Sequence, residues 1–169
     1  MTKRIDYGQV APDAMKAMYG VESYVRRSGL EPALMELVKL RASYMNGCAY
    51  CVDMHTKDAR AVGETEQRLY AVPVWRETPF FNPRERAALA WTESVTDLGH
   101  TGVPDGVYEE ARTQFSEVDL VNLTMAIIAI NGWNRLAVSF RSEAGSYQPP
   151  VKATHGATQE TAHVGAAHE

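Results

Sequence analysis

Two cysteines three positions apart, with a histidine four residues beyond the second, are the side chains in this sequence best suited to chemistry. They are Cys48, Cys51 and His55, in the run Asn46-Gly47-Cys48-Ala49-Tyr50-Cys51-Val52-Asp53-Met54-His55, and the chain has no other cysteine. Asn46-Gly47 is a helix-ending and turn signal, so Cys48 is expected at or just before the first turn of a new helix. Backbone N–H groups point outward at such an end, and the aligned peptide dipoles leave it partly positive. Both effects favour thiolate over thiol, lowering a free cysteine from about 8.5 by one to several units. At about 100° per residue the three side chains fall within an arc of about 60°. Cys51 and His55 are therefore neighbours on the helix surface, and a histidine there can take a thiol proton, as an activated nucleophile requires. Tyr50, if already helical, points roughly the opposite way.

Zinc is the rival use of a cysteine pair, but a structural site takes four ligands. No second Cys-x-x-Cys and no His-x3-His completes one. His100 follows Gly99 in a turn, and His155, His163 and His168 lie near the C-terminus. Their spacing suggests no metal site, so no metal is expected, and no bound cofactor beyond the cysteine pair. On spacing alone Glu36 is an exposed acid paired with Lys39 one turn on.

The elements that must position these residues read as helices. At 169 residues, 45% hydrophobic and 22% charged, the chain is one globular domain with a real core. Its net charge of −4 gives no basic footprint for nucleic acid. The start lacks the apolar run of a signal peptide, which predicts a cytoplasmic protein; in that reducing compartment a close cysteine pair is more often catalytic or metal-binding than structural. Pro12 to Arg27 carries apolar residues at helical spacing, with Val21 or Glu22 on the buried stripe. Pro32 opens the next helix, and Gly47 closes it. The Cys48 helix runs to about Val62, Thr65 to Tyr70 forms a short helix, and Val72 to Pro79 an irregular, aromatic-rich link. Asn82-Pro83-Arg84-Glu85 is a strong start signal for a helix ending near Gly99. Pro104 opens another, and Ser116 caps the most apolar segment, Leu120 to Phe140, which is expected at the centre of the domain or in a subunit interface. That segment is too short and too interrupted for a membrane span. No stretch alternates with period two, so the fold class is all-α. Ser142 to Glu169 has few large apolar residues and is expected to be a mobile, disordered tail after a helical domain of residues 1–141. Tyr44, Met45, Trp75, Phe80 and Phe81 are candidates for an apolar channel, although core or interface packing is the reading for any one of them. Asn131, Asn134 and Arg135, on the apolar final helix, are read as structural hydrogen-bonding groups at an interface.

The pattern Glu-x11-Cys-x-x-Cys-x3-His, set in Leu37-Val38-Lys39-Leu40-Arg41-Ala42-Ser43 and Asn46-Gly47-Cys48-Ala49-Tyr50-Cys51, resembles the AhpD-like alkylhydroperoxidase branch of the carboxymuconolactone decarboxylase family. The likeness is densest from Leu30 to Arg60 and reaches more diffusely to Asn131-Gly132-Trp133-Asn134-Arg135. It implies an all-helical subunit assembled into homotrimers or homohexamers, and a dithiol peroxidase whose cysteine pair is oxidised to a disulfide. It also implies that Glu36, His55, Cys48 and Cys51 form a proton relay, partly through water. Better-studied members often carry a further histidine between the cysteines; Tyr50 stands there, and is the accessory candidate.

On this reading His55, polarised by Glu36, takes the proton of Cys51, whose thiolate attacks a hydroperoxide and becomes a sulfenic acid. Cys48 then condenses with it. The reverse order stays open, because Cys48 is nearer the helix N-terminus. The implied partners are a hydroperoxide and a thiol or lipoyl-type reductant, or a peroxiredoxin to which the dithiol passes electrons. The alternatives are a general disulfide reductase, a redox-sensing or zinc-binding oligomer and, last, a decarboxylase, since members of that type lack the cysteine pair.

Overall fold

The computed structural model describes residues 2–149, apart from the side chains of His100 and Thr101. His155, His163, His168 and most of the expected tail lie outside the described residues, as does the side chain of His100. Among the described residues the regular structure is helical throughout, as the patterning requires. The helices are α1 (Tyr7–Val10), α2 (Pro12–Arg26), α3 (Pro32–Met45), α4 (Ala49–Ala61), α5 (Glu66–Ala71), α6 (Pro83–Thr96), α7 (Leu98–Thr101), α8 (Asp105–Gln114) and α9 (Glu117–Phe140), with a 3₁₀ segment at Val72–Glu77. No single helix is long and apolar enough to cross a membrane.

Local chemistry sets most of the boundaries. Proline stands in the first turn of α2, α3 and α6, where its missing N–H costs nothing. Asn82 and Glu85 form the reciprocal capping box expected of them, and Ser116 caps α9 through the N–H of Asp119. Pro104 sits one position earlier than anticipated, as the N-cap of α8. The helix expected to reach Gly99 stops at Thr96, because Asp97 leaves helical geometry before the short α7 begins. The anticipated irregular link contains the 3₁₀ segment, and the indole of Trp75 within it donates to Glu93 Oε1 at 2.7 Å.

The centre of the domain is α3, which packs on α4, α6 and α9. Its three faces go to three places. Leu34, Met35 and Val38 join Val25, Trp91, Phe115, Leu123 and Ile127 in one core cluster. Leu37 and Leu40 join Leu69, Val72, Trp75, Phe81 and Leu89 in a second. The third face carries Glu36, Lys39 and Ser43 at i, i+3 and i+7, and it turns to the sulfurs. Helix α9 buries one side, including Leu123, Ile127 and Ile130, but exposes Val118, Val121, Ile128 and Val138. It crosses α2 closely at Gly132, where an added Cβ would lie 2.8 Å from Met18 Cε.

The described start of the tail does not run free. Over residues 142–149 it turns back along α4, with Gly145 N donating to Asp53 Oδ2 at 3.0 Å, Lys57 Nζ to Tyr147 O at 2.9 Å, and Tyr147 Oη to Asp58 Oδ1 at 2.7 Å.

Candidate functional site

The turn between α3 and α4 places the first cysteine. Gly47 takes a left-handed φ of 63°, and its N–H bonds to Tyr44 O at 3.2 Å while Cys48 N–H bonds to Ser43 O at 3.0 Å. This is a Schellman ending of α3. Cys48 is then free to act as the N-cap of α4: its backbone is extended and its sulfur accepts from Cys51 N at 3.4 Å. A thiol thus occupies the place usually held by a serine, threonine or carboxylate oxygen.

One turn along α4, Cys51 Sγ lies 2.7 Å from Cys48 Sγ, with both cysteines free and each only 1% exposed. The pair shares its protons unequally. The Cys51 hydrogen bond is the largest influence on Cys48; burial opposes it, while the N–H groups of Cys51 and Tyr50 and the Asn134 amide assist. Together they bring Cys48 from an ordinary 9.0 down to about 7. The same contact, burial and the charge on Cys48 push Cys51 upward. Ionisation of the pair therefore begins at Cys48, and the remaining proton stays on Cys51.

His55, on the next turn of α4, is buried. Its Nδ1 is 2.7 Å from Glu36 Oε2 on α3. A carboxylate only accepts, so the ring proton belongs on Nδ1 and the lone pair on Nε2. Nε2 is buried without a hydrogen-bond partner in the protein. The direct Cys51-to-His55 hydrogen bond expected from the i, i+4 spacing is therefore not made. Nor does Glu36 pair with Lys39. That ammonium, 4% exposed, reaches Glu22 Oε1 on α2 at 2.5 Å instead. Burial alone would raise the Glu22 carboxyl, but the Lys39 charge and hydrogen bond outweigh it and hold it below the usual carboxylate range.

Cys51, His55, Glu36, Lys39 and Glu22 all line one cavity of about 440 Å³, walled by Tyr7, Tyr19, Tyr50, Trp133 and Tyr147. Tyr50 belongs to this wall rather than to the far side of the helix; it sits in the first turn of α4, where a long side chain leans back toward the N-terminus and over the sulfurs. Trp75 and Phe81 stay in the core and do not form a channel. Sequence reasoning missed Lys39, Tyr7, Tyr19 and Tyr147 as site residues. The one hint was Glu22, an acid on an otherwise apolar stripe. Ligating atoms of Glu36, His55 and Asp58 lie within 4.8 Å of one another, close enough to hold a cation. Those carboxylates already bond to His55 and to Tyr147, in two separate pairs. Of the anticipated polar group on α9, the two asparagines are buried and bonded within the chain, Asn46 Nδ2 donating to Asn131 Oδ1 at 2.8 Å and to Asn134 Oδ1 at 2.9 Å, while the exposed Arg135 bonds back to Asn131.

Residues 12–94 match the model of the carboxymuconolactone decarboxylase family. Over 146 residues the chain is 42% identical to the uncharacterized protein YdfG of Bacillus subtilis, covering 86% of this chain and 99% of that protein. It superposes with a TM-score of 0.83 on a crystal structure from Agrobacterium tumefaciens, at 47% identity, covering 89% of this chain and 100% of the other. That protein, of unknown function, has been proposed to be the antioxidant defence protein AhpD. The debrominase Bmp8 shares the fold, with a TM-score of 0.72 at 20% identity over 80% of this chain and 73% of its own. By sequence and by architecture, the chain belongs to the carboxymuconolactone decarboxylase family and has the AhpD-like fold.

Proposed function

We propose that this chain is a thiol-dependent alkyl hydroperoxide reductase of antioxidant defence, with Cys48 and Cys51 as its redox centre. The observation that carries the reading is the 2.7 Å approach of the two sulfurs, one of which opens on the cavity holding His55 and Glu36. The charge of the ionised pair rests mainly on Cys48, and a proton shift across the short contact transfers it to Cys51. Cys51 is the sulfur that faces the cavity, so access selects it as the nucleophile. His55 Nε2 holds the proton lost on ionisation, received through a bound molecule, and Glu36 steadies the imidazolium.

The thiolate attacks the distal oxygen of the hydroperoxide. A sulfur–oxygen bond forms, the oxygen–oxygen bond breaks, and Cys51 becomes a sulfenic acid. The alkoxide takes the His55 proton and leaves as an alcohol. Cys48 then attacks the sulfenic sulfur, forming the disulfide, and hydroxide leaves as water with the Cys48 proton. One hydroperoxide and two thiols have become one alcohol, one water and one disulfide. A thiol or lipoyl-type reductant returns two electrons and two protons. A general disulfide reductase would use the same pair, but with each cysteine 1% exposed a small peroxide reaches Cys51 more readily than a protein disulfide does.

The test supplies cumene hydroperoxide with dihydrolipoamide and follows peroxide consumption. Continued turnover, abolished in Cys51→Ser, is expected. Oxidation of one dithiol per chain and then no further consumption under excess reductant would identify a redox sensor and withdraw the enzyme reading.

A further inference from the structure

Asn134 takes no part in the steps above, yet it stands on the face of α9 that turns to the two cysteines. On α9 it falls between Ile130 and Ala137, whose side chains pack with Cys48 and Cys51 in one buried cluster. Asn134 is 1% exposed, so its amide must find its partners inside the protein. Its Oδ1 accepts from Asn46 Nδ2 at 2.9 Å, and its Nδ2 donates to Ser43 Oγ at 3.1 Å. Ser43 has already given its own proton to Lys39 O at 2.7 Å, so it can only accept from Asn134. Oxygen and nitrogen of this amide are thereby distinguished. An amide nitrogen carries two hydrogens. Ser43 takes one; the other is left on the side where Ile130 and Ala137, one turn before and after Asn134, pack with Cys48 and Cys51, and the amide there favours the charged form of either thiol.

We propose that Asn134 is a positioning residue for the dithiol: clamped by Asn46 and Ser43, it presents a fixed N–H to both sulfurs and stabilises the negative charge on whichever of them carries it. This rests on the peroxidase reading only for its consequence. Because the charge passes between the sulfurs before attack, a donor within reach of both lets it move without rearrangement of the surroundings. The N-cap N–H of residue 51 reaches Cys48 alone. The ionisable groups that line the cavity with Cys51 are Tyr7 from α1, Tyr19, Glu22 and Arg26 from α2, Glu36 and Lys39 from α3, Tyr50, His55 and Asp58 from α4, and Tyr147 from the tail. Glu22 is paired with Lys39 and Glu36 with His55, and Arg135 of α9 turns to Asn131. Of the two neutral donors that α9 brings near the pair, the Trp133 indole lines the cavity, and the Asn134 amide is the one that favours the charged form of both thiols.

The experiment titrates the ultraviolet absorbance of thiolate in the full chain and in Asn134→Leu, Asn134→Asp and Ser43→Ala, with thermal melts beside it. Asn134→Leu should raise the lower thiol midpoint by about one unit, roughly a tenfold loss of thiolate on the acid side of the transition. Asn134→Asp, nearly isosteric but without the donor, should raise it further; it keeps the test alive if the leucine variant does not fold. Ser43→Ala, which keeps the donor and loosens its clamp, should move it less than either. A folded Asn134→Asp with a wild-type midpoint, whatever its melting temperature, would overturn the proposal. Since titration needs no turnover, a chain that consumes no peroxide but shows these shifts would refute the enzyme reading and leave this one standing.

Discussion

Replacing each cysteine in turn separates acidity from access. In the intact pair Cys48 titrates at about 7 and Cys51 well above the ordinary thiol range. Cys48→Ala removes both the competing sulfur and its charge from beside Cys51, which leaves burial as the main perturbation, so the surviving thiol should titrate near or above 9. At pH 7 a thiol with a midpoint of 9 is about 1% ionised, against about half for one with a midpoint of 7, a loss of roughly fiftyfold. Cys51→Ala removes the largest stabilising contact of Cys48 but keeps the N-cap N–H groups and Asn134, so its midpoint should fall between about 7 and 9. In the native pair the thiolate population rises with pH through about 7. Activity should therefore rise roughly tenfold from pH 6 to pH 8 if ionisation limits it. Thiolate absorbance reads the ionisation, and dimedone with one equivalent of hydroperoxide reads the attack. Dimedone should mark Cys51 in Cys48→Ala at alkaline pH and mark Cys48 poorly in Cys51→Ala, because Cys51 lines the cavity and Cys48 does not. The opposite labelling would mean that acidity, not access, selects the nucleophile. A native protein with no thiol midpoint below 8 would refute the electrostatic argument itself.

Three further outcomes follow from the geometry. Glu36→Gln keeps the shape but removes the charge that steadies the His55 imidazolium, and kcat/KM for hydroperoxide should fall by about one hundredfold, measured by peroxide consumption. Exhaustive treatment with a chelator should leave turnover unchanged, because Glu36 and Asp58 are engaged by His55 and Tyr147; lost activity restored by a divalent cation would make that trio a metal site. The exposed Val118, Val121, Ile128 and Val138 of α9 are the apolar surface through which we expect copies to assemble into trimers or hexamers. Ile128→Glu should shift the mass measured by light scattering toward that of a single chain.

What could be read in the sequence is what is decided locally. Pro12, Pro32, Asn82 with Glu85, and Ser116 mark helix starts through contacts within one turn, and each lies where the sequence places it. Cys48 belongs to the same class: Asn46-Gly47 ends α3, and the next residue caps α4. The four-residue α1 offers too short a period to detect. Pairings across elements were legible only in part. Lys39 has Glu36 within one turn, and local rules join them, but packing of α2 on α3 brings Glu22 to Lys39 and leaves Glu36 to His55. Tyr147 lies 89 residues beyond Asp58, and nothing near either in sequence signals their bond. The Glu36–His55 pair was reached through family resemblance rather than residue spacing, for the same reason.

Helix α4 differs from its neighbours in what caps it. Thr65, Asn82 and Ser116 cap α5, α6 and α9 with oxygen, the usual arrangement and the stronger acceptor. A sulfur accepting at 3.4 Å is a poorer cap, so this corner gives up some helix stability. In exchange, the N–H groups that a cap must satisfy become the groups that acidify a thiol. The Schellman turn makes this possible by spending the Cys48 N–H on Ser43 O, which leaves the side chain alone to serve α4. Ser43 also accepts from Asn134, so one residue of α3 anchors both the turn that carries Cys48 and the amide aimed at the sulfurs. The third face of α3 therefore holds Glu36 for His55, Lys39 for Glu22 and Ser43 for the dithiol. The chemistry belongs to α4, but its geometry is set by the helix before it.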